Sequence, residues 1–492
     1  MAYHRQVLTR RAFLAFTPFA VSAASRIPPP APYGAIPSDR QLQWHSLETT
    51  AFLHFTVNTF TNREWGLGDE DPNIFNPAKF DADAIVAPLA DAGMRGVILT
   101  CKHHDGFCLW PTQTTDHCVR ASSWRAGKGD VVRDLSDAAR RRGLLFGVYV
   151  SPWDRNNAAY GKPGYIDVYR RQLTELLTGY GPIFEVWHDG ANGGDGYYGG
   201  AREKRTIDKA TYYDWPRTWD MIRKLQPGAV IFSDVGPDVR WVGNERGIAG
   251  DPCWCAYDPV GANGGPASPG DVRERESPTG TRHGSKWLPA ECDVSIRPGW
   301  FWHEAENARV KTPEQLIDLY YKSVGRGATL LLNVPPNRDG LLNAEDIASL
   351  AKFGEYRRAT FARNLLEHAK AASPQVRGKD RAFGPANLLD GRDDTFWAAD
   401  DAVLLAEATF DLPRPARFDI IRIREAIRFG QRIDAMGIDS WNNGQWEEIA
   451  SASSIGPRRL IQLAKPITAQ RLRLRVTKAS ASPALTEFAV FG

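Results

Sequence analysis

Between residues 50 and 355, short apolar runs alternate with longer stretches in which apolar side chains recur every three or four positions. Short apolar runs bounded by turns read as buried strands, and the three-to-four spacing reads as amphipathic helix. The alternation therefore predicts βα units around a parallel sheet. Strands are expected over 51–55, 96–100, 144–150, 183–187, 230–233 and 328–334, and helices over 80–92, 131–142, 166–178, 212–225, 313–324 and 345–356. Gly93, Gly143 and the run Gln226-Pro227-Gly228 stop three of these helices. The basic run Arg140-Arg141-Arg142 falls in a last helical turn, where positive charge faces the negative end of the helix dipole.

Polar and aromatic residues follow the strands closely: His103 and His104 after one, Ser151 and Trp153 after another, Asp189 after a third, Asp234 after a fourth. In a parallel barrel those strand ends meet at one face, where active sites form. The same order suits an open doubly wound sheet, but no Gly-rich phosphate cradle follows the first strand. The fold class expected is α/β, a (β/α)8-like barrel over 38–357, with the Gly- and Pro-rich stretch 253–281 as a long loop over its face. From about residue 373 to 492 the helical period fades and short alternating strands take over, at 406–410, 418–423, 435–438, 472–476 and 488–490. Arg471, Arg473 and Arg475 interleave with apolar residues as a half-buried strand requires, so an all-β sandwich should follow the barrel.

The first 25 residues read as an address. Thr9-Arg10-Arg11-Ala12-Phe13-Leu14 leads into an apolar run through Ala24, resembling a twin-arginine signal peptide, and Val21-Ser22-Ala23 offers small residues for cleavage. Export to the periplasm or the extracellular space is expected, and the Pro-rich residues 26–37 read as a linker. The run is shorter than the roughly 20 apolar residues that span a bilayer, and no later run reaches that length, so no stable membrane insertion is expected.

Composition narrows the partners. Net charge is +3 over 492 residues, and no basic cluster interleaves with aromatics, which argues against nucleic acid. The chain has 16 tryptophans; most serve packing, but indole faces also stack on sugars. The cysteines are Cys101, Cys108, Cys118, Cys253, Cys255 and Cys292; no Cys-x-x-Cys occurs, so a structural zinc is not expected, and one or two disulfides stay open.

Two carboxyl groups flanking a glycosidic bond suffice for sugar hydrolysis, one attacking or activating water and one protonating the leaving oxygen. Asp189 ends the run Glu185-Val186-Trp187-His188-Asp189-Gly190, and Gly190 leaves room beside it; the bland reading is an Asp-Gly turn. Lys102-His103-His104-Asp105-Gly106-Phe107 admits either imidazoles that bond sugar hydroxyls or the start of a metal site.

Together, His54, Glu64-Trp65, His103-His104-Asp105-Gly106-Phe107, Tyr149-Ser151-Trp153 and Trp187-His188-Asp189-Gly190 resemble glycoside hydrolase family 29, the α-L-fucosidases, over roughly residues 40 to 355. The resemblance implies a retaining exo-glycosidase with Asp189 as nucleophile and a fucose pocket of His54, Glu64, Trp65, His103, His104, Tyr149 and Trp187, to which Trp300 of Gly299-Trp300-Phe301-Trp302 adds an aromatic wall. Arg240-Trp241-Val242-Gly243-Asn244-Glu245 looks like the subgroup acting on α-1,3/1,4 fucosyl branches, which implies Glu245 as acid/base. Glu291 competes for that role; its other reading is a substrate-binding residue, or one paired with a neighbouring Arg such as Arg297. The implied partner is a fucosylated oligosaccharide or glycoconjugate, and no metal or organic cofactor is required. A broad-specificity fucosidase, a catalytically silent sugar-binding protein and a metal-dependent hydrolase using His103 and His104 are the alternatives.

Asn387-Leu388-Leu389-Asp390-Gly391-Arg392-Asp393-Asp394-Thr395-Phe396-Trp397 resembles the discoidin-like (coagulation factor type C) sandwich. Such modules include sugar binders and often hold a structural calcium; sugar binding, calcium binding and a packing role against the barrel all stay open for this copy.

Overall fold

The computed structural model describes residues 27–492; the expected signal peptide lies outside the described residues. Eight parallel strands close into a barrel in chain order: β1 Thr49–Leu53, β2 Gly96–Lys102, β3 Leu145–Val150, β4 Glu185–Trp187, β5 Val230–Ser233, β6 Val239–Trp241, β7 Ala290–Ser295 and β8 Thr329–Asn333. Closure is between β8 and β1, where Thr49 pairs with Leu330 and Phe52 with Asn333.

Side-chain parity sorts each strand. Ala51, Leu53, Val97, Leu99, Val148, Val150, Val186 and Ile231 face the outer helices in the main core. Phe52, Ile98, Tyr149, Trp187, Phe232 and Leu331 alternate with them and fill the barrel. The short helix Asp39–His45, capped by Ser38 and Gln41, seals the bottom by adding Trp44 to that filling.

Six helices wrap the barrel: Ala82–Asp91, Val131–Arg141, Gly164–Gly179, Trp215–Leu225, Pro313–Lys322 and Ala344–Thr360. Each overlaps an expected helix. The helix expected from 212 begins at Trp215 because Asp214 is left-handed, with φ 45°, and Pro216 belongs in a first turn. No α-helix lies between β5 and β6 or between β6 and β7; residues 242–289 form the long loop instead. Strands β6 and β7 carry no apolar run, so the pattern did not announce them. In β7, Glu291, Asp293 and Ser295 take the inward parity, putting polar groups where the other strands put apolar ones.

The C-terminal sheet runs β9 Lys370–Ala372, β10 Trp397–Ala398, β11 Ala406–Glu425, β12 Ile433–Asn442, β13 Gln445–Ser453, β14 Arg459–Ala479 and β15 Ala484–Phe491. Its order is β10-β15-β11-β14-β12-β13, with β9 beside β11, all antiparallel. The two segments expected at 406–410 and 418–423 are one long strand with irregular pairing between Asp411 and Ala416. Leu472, Leu474 and Val476 are buried while Arg473 and Arg475 turn outward, both onto Asp439 Oδ2 at 2.7 Å.

The sandwich packs on the barrel through Arg458–Glu48 (2.6 Å), Arg459–Asp251 (2.9 Å) and Arg282–Asp434 (2.6 Å). The segment read as a linker is docked: Tyr33 N–H donates to the Phe429 carbonyl (2.9 Å), and Arg377 donates to that of Pro28 (2.7 Å). All six cysteines are free thiols. In the loop to which the calcium expectation attaches, Asp394 is paired by Arg392 (2.6 Å), Asp393 by Arg424 (2.6 Å), and Asp390 accepts from Thr395 (2.6 Å). Two of the three carboxylates thus already face an arginine.

Candidate active site

Each inward strand position steps about 6.6 Å toward the mouth of the barrel for every two residues. Phe52 is followed by His54, Trp187 by Asp189, Phe232 by Asp234 and Glu291 by Asp293; His54, Asp189, Asp234 and Asp293 all line one cavity of about 270 Å³. Glu64, Trp65, His103, His104, Tyr149, Trp187, Trp241, Glu245 and Trp300 complete most of its wall. The long loop contributes Gly270, Val272 and Glu274.

Asp189 is held from two sides. Tyr149 Oη donates to Oδ2 (2.8 Å), and the Ala191 N–H donates to Oδ1 (2.7 Å). Burial and the neighbouring carboxylate push the Tyr149 phenol well above its ordinary range, so it stays a donor. The side chain of Asp189 remains 24% exposed, open to the cavity. Gly190 leaves room here: a Cβ would displace the Asp234 carboxylate.

The three imidazoles are neutral. Burial lowers His54 to about 3 and His104 to about 4, and lowers His103 further below the usual range. The bonding fixes two tautomers. Asn333 Nδ2 donates to Ser295 and the Trp300 carbonyl, so its Oδ1 accepts from His54 Nδ1–H (2.9 Å). Ser151 gives its one proton to the Trp153 carbonyl (2.7 Å), so His104 Nδ1–H donates to Ser151 Oγ (2.7 Å). His104 Nε2 is then a bare acceptor, 3.8 Å from Asp189 Oδ2. Two acceptors facing each other at that distance leave room for a hydroxyl donor.

Glu64 braces the rim: it accepts from the Trp300 N–H (2.8 Å) and lies 2.6 Å from His303 Nε2. Glu245 sits on the exposed rim. Loss of water around it raises its pKa above the usual carboxyl range, a hydrogen bond from Trp300 opposes the shift, and the nearby Asp189 and Glu64 add to it. Asp234 is raised to about 6, mainly by burial, against the Gly270 N–H it accepts, with Asp189 adding repulsion. Asp293 is raised further by burial while accepting from Trp241 Nε1 (2.7 Å).

Glu291 stands apart from the other candidates. One inward step below Asp293, it lies under the cavity, accepts from Trp187 Nε1 (2.9 Å) and shares a buried contact with Glu185. Arg297 is paired with Asp346 (2.9 Å), not with Glu291. His188, on the outward parity, is buried against Tyr169 and Trp215, and Asp105 ties down its own loop through Thr56 (2.9 Å) and the Phe107 N–H (2.7 Å). Asp234 was placed at the strand-end face by the sequence but given no part in the pocket, and Trp241, Glu274 and Asp293 were not singled out for it; Asp293 lies within β7, a strand the apolar pattern did not announce.

His103, His104 and Asp189 offer ligand atoms within 4.8 Å of one another, the one such group of three among the described residues. Each Asp189 oxygen already accepts one hydrogen bond and His104 Nδ1 is committed to Ser151, which leaves His104 Nε2 as that ring's free lone pair.

Residues 16–360 match the family model described as Alpha-L-fucosidase, and residues 368–488 match that of the F5/8 type C domain. The chain is 43% identical over 469 residues to Alpha-L-fucosidase 1 of Arabidopsis thaliana, covering 94% of this chain and 89% of the relative. It is 25% identical over 298 residues to plasma alpha-L-fucosidase of Homo sapiens, covering 58% of this chain and 54% of that one. Among solved structures, a glycoside hydrolase family 29 fucosidase of Ruminococcus gnavus in complex with fucose superposes with a TM-score of 0.85 at 32% identity, covering 95% of this chain and 97% of that chain. A glycoside hydrolase 29 family member from a rumen bacterium gives 0.82 at 41%, covering 94% and 78%.

Proposed function

The chain belongs to the α-L-fucosidases of glycoside hydrolase family 29 and carries a C-terminal F5/8 type C domain, and on that footing we propose that it is a retaining exo-enzyme in which Asp189 is the nucleophile and Glu245 the acid/base. The observation that carries this reading is Asp189 itself, oriented by Tyr149 and the Ala191 N–H at the wall of a one-sugar cavity with Glu245 on the rim.

In the proposed reaction an Asp189 oxygen bonds to the anomeric carbon of fucose as the bond to the leaving oxygen breaks. Glu245 gives its proton to that oxygen. Water then attacks the same carbon, Glu245 takes the water's proton, and the ester to Asp189 is released as carboxylate. Neutral imidazoles suit the fucose hydroxyls: His54 and His104 each present Nε2 as an acceptor, and His104 can accept a hydrogen bond from a hydroxyl beside Asp189. Trp187 and Trp300 offer apolar faces for the ring and the methyl group. This chemistry needs no metal.

The substrate proposed is terminal α-1,3/1,4-linked fucose on oligosaccharides or glycoconjugates, supported by the Arg240–Glu245 segment that brings Glu245 to the rim. Fucose binding reported for the Ruminococcus gnavus relative supports fucose as the sugar held. The Arg10-Arg11 leader supports export, which N-terminal sequencing of the secreted protein would test.

The deciding experiment is release of L-fucose from a Lewis-type trisaccharide and from an aryl α-L-fucoside, with Asp189→Ala and Glu245→Ala alongside. Trisaccharide cleavage lost in both variants is the expected result. Preference for the aryl substrate would make the enzyme a broad fucosidase, and near-normal trisaccharide cleavage by Glu245→Ala would remove Glu245 from its role.

A further inference from the structure

The loop over residues 242–289 has two kinds of anchor. Its base is tied to the sandwich, through the Cys253 N–H to Ser454 Oγ (3.0 Å), the Cys255 N–H to Gln431 (2.9 Å) and the Arg282–Asp434 pair, and to the barrel through Arg240, which donates to the carbonyls of Ser277 (2.9 Å) and Trp254 (3.1 Å). Its tip is tied to the barrel at a single residue, Gly270.

The tip is a tight turn, Ser268-Pro269-Gly270-Asp271, closed by the Asp271 N–H to the Ser268 carbonyl (2.8 Å). Proline followed by glycine at φ +81° is the signature of a type II turn. The turn's own hydrogen bond leaves both backbone polar groups of Gly270 free to point outward, and both are taken. Its N–H donates to Asp234 Oδ2 (2.8 Å), and its carbonyl accepts from Lys209 Nζ (2.6 Å). Among the described residues no other hydrogen bond ties residues 259–273 to the barrel. A Cβ on Gly270 would strike the Gly190 carbonyl and the Asn192 amide, so the turn also packs directly on the loop that carries Asp189. Lys209 itself is held in a turn set by Asp208, which accepts from the Ala210 N–H (3.0 Å) and Thr211 Oγ1 (2.7 Å). Lys209 does not line the cavity, but Val272 and Glu274, two and four residues beyond Gly270, do.

We propose that Lys209 is a positioning residue for the leaving-group side of the site: with Asp234 it clamps the loop tip at Gly270 and so fixes the wall made by Val272 and Glu274. The proposal rests on the reading that an oligosaccharide fucoside is the substrate. In this proposal the wall of Val272 and Glu274, carried by the long loop, is what a sugar-chain leaving group meets; an aryl fucoside, with one flat ring, depends on it less.

The test is Lys209→Met, with Lys209→Arg as the conservative variant, assayed on the trisaccharide and the aryl fucoside and followed by amide hydrogen exchange at Gly270. Losing one hydrogen bond from a charged donor should raise the trisaccharide KM about tenfold with kcat little changed, leave both aryl constants unchanged, and speed Gly270 exchange by a similar factor. Lys209→Arg should restore the clamp. Equal KM changes on both substrates, or unaltered Gly270 exchange in a folded Lys209→Met protein, would overturn the proposal. If the wild type leaves the trisaccharide intact, the linkage reading fails, while the exchange measurement still decides the clamp.

Discussion

The hydroxyl of Tyr149 points at Oδ2 of Asp189 across 2.8 Å, and its ring lies over that of Trp187, centroids 5.4 Å apart. The contact fixes the orientation of the carboxylate that the proposed reaction uses. Tyr149→Phe keeps the packing and removes only the donor, so the fold should hold. Removing one hydrogen bond to a charged group should lower kcat/KM by roughly tenfold to a hundredfold. Steady-state kinetics on the aryl fucoside, with thermal unfolding as control, checks this. An unchanged kcat/KM would mean that the Ala191 N–H alone orients Asp189.

Glu245 provides a pH test. Its pKa is raised by loss of water and by Asp189 and Glu64, so its proton persists to higher pH than an ordinary carboxyl would allow. In its proposed role as general acid it is competent below that pKa, and trisaccharide kcat/KM should fall as pH rises through it. In Glu245→Gln that alkaline limb should disappear and the rate should drop by about 10²–10⁴. Aryl fucosides with good leaving groups should lose less, since their leaving oxygen needs less help from a proton. An alkaline limb unmoved in Glu245→Gln would assign it to another group.

The barrel was legible where strands are apolar, and so was the placing of His103, His104, Tyr149 and Asp189 at strand ends. β6 and β7 were not, because Arg240, Glu291 and Asp293 break the apolar run for reasons that exist only once the barrel closes. Parity carries the missing information. Glu291 and Asp293 look alike in sequence, yet two residues along a strand separate a carboxyl beneath the pocket from one in its wall. Likewise Trp187 and His188 are adjacent, and one lines the cavity while the other turns to Tyr169. The clamp at Gly270 is invisible in sequence, since Lys209, Asp234 and Gly270 meet only through tertiary structure.

The Glu185–Glu291 pair makes stability depend on pH. Burial raises both, helped for Glu291 by Glu185 itself, and Glu185 reaches about 8 from an ordinary 4.5. A carboxyl raised in the folded state holds a proton that the unfolded chain has released. Its contribution is therefore complete below about 4.5 and is lost as pH rises toward 8, at up to about 1.4 kcal/mol per pH unit for one proton. Glu185→Gln keeps the shape and removes that titration. Relative to wild type it should gain in Tm as pH goes from 5 to 8. A Tm difference flat across that range would mean that the pair titrates as ordinary carboxyls.

Chelation tests the metal alternative directly. A divalent ion on His103, His104 and Asp189 would need an Asp189 oxygen that already accepts from Tyr149 or the Ala191 N–H. It would also neutralise the charge that the proposed displacement uses, so bound metal should inhibit. Prolonged treatment with EDTA should leave kcat/KM unchanged, and excess zinc should lower it competitively with substrate. His104→Gln, which removes one ligand, should weaken that inhibition. The same treatment should leave Tm unchanged, because Asp393 and Asp394 are paired with arginines. Activity lost on chelation and restored by one equivalent of zinc would instead make the ion part of the catalyst, and Asp189 its ligand in place of a nucleophile.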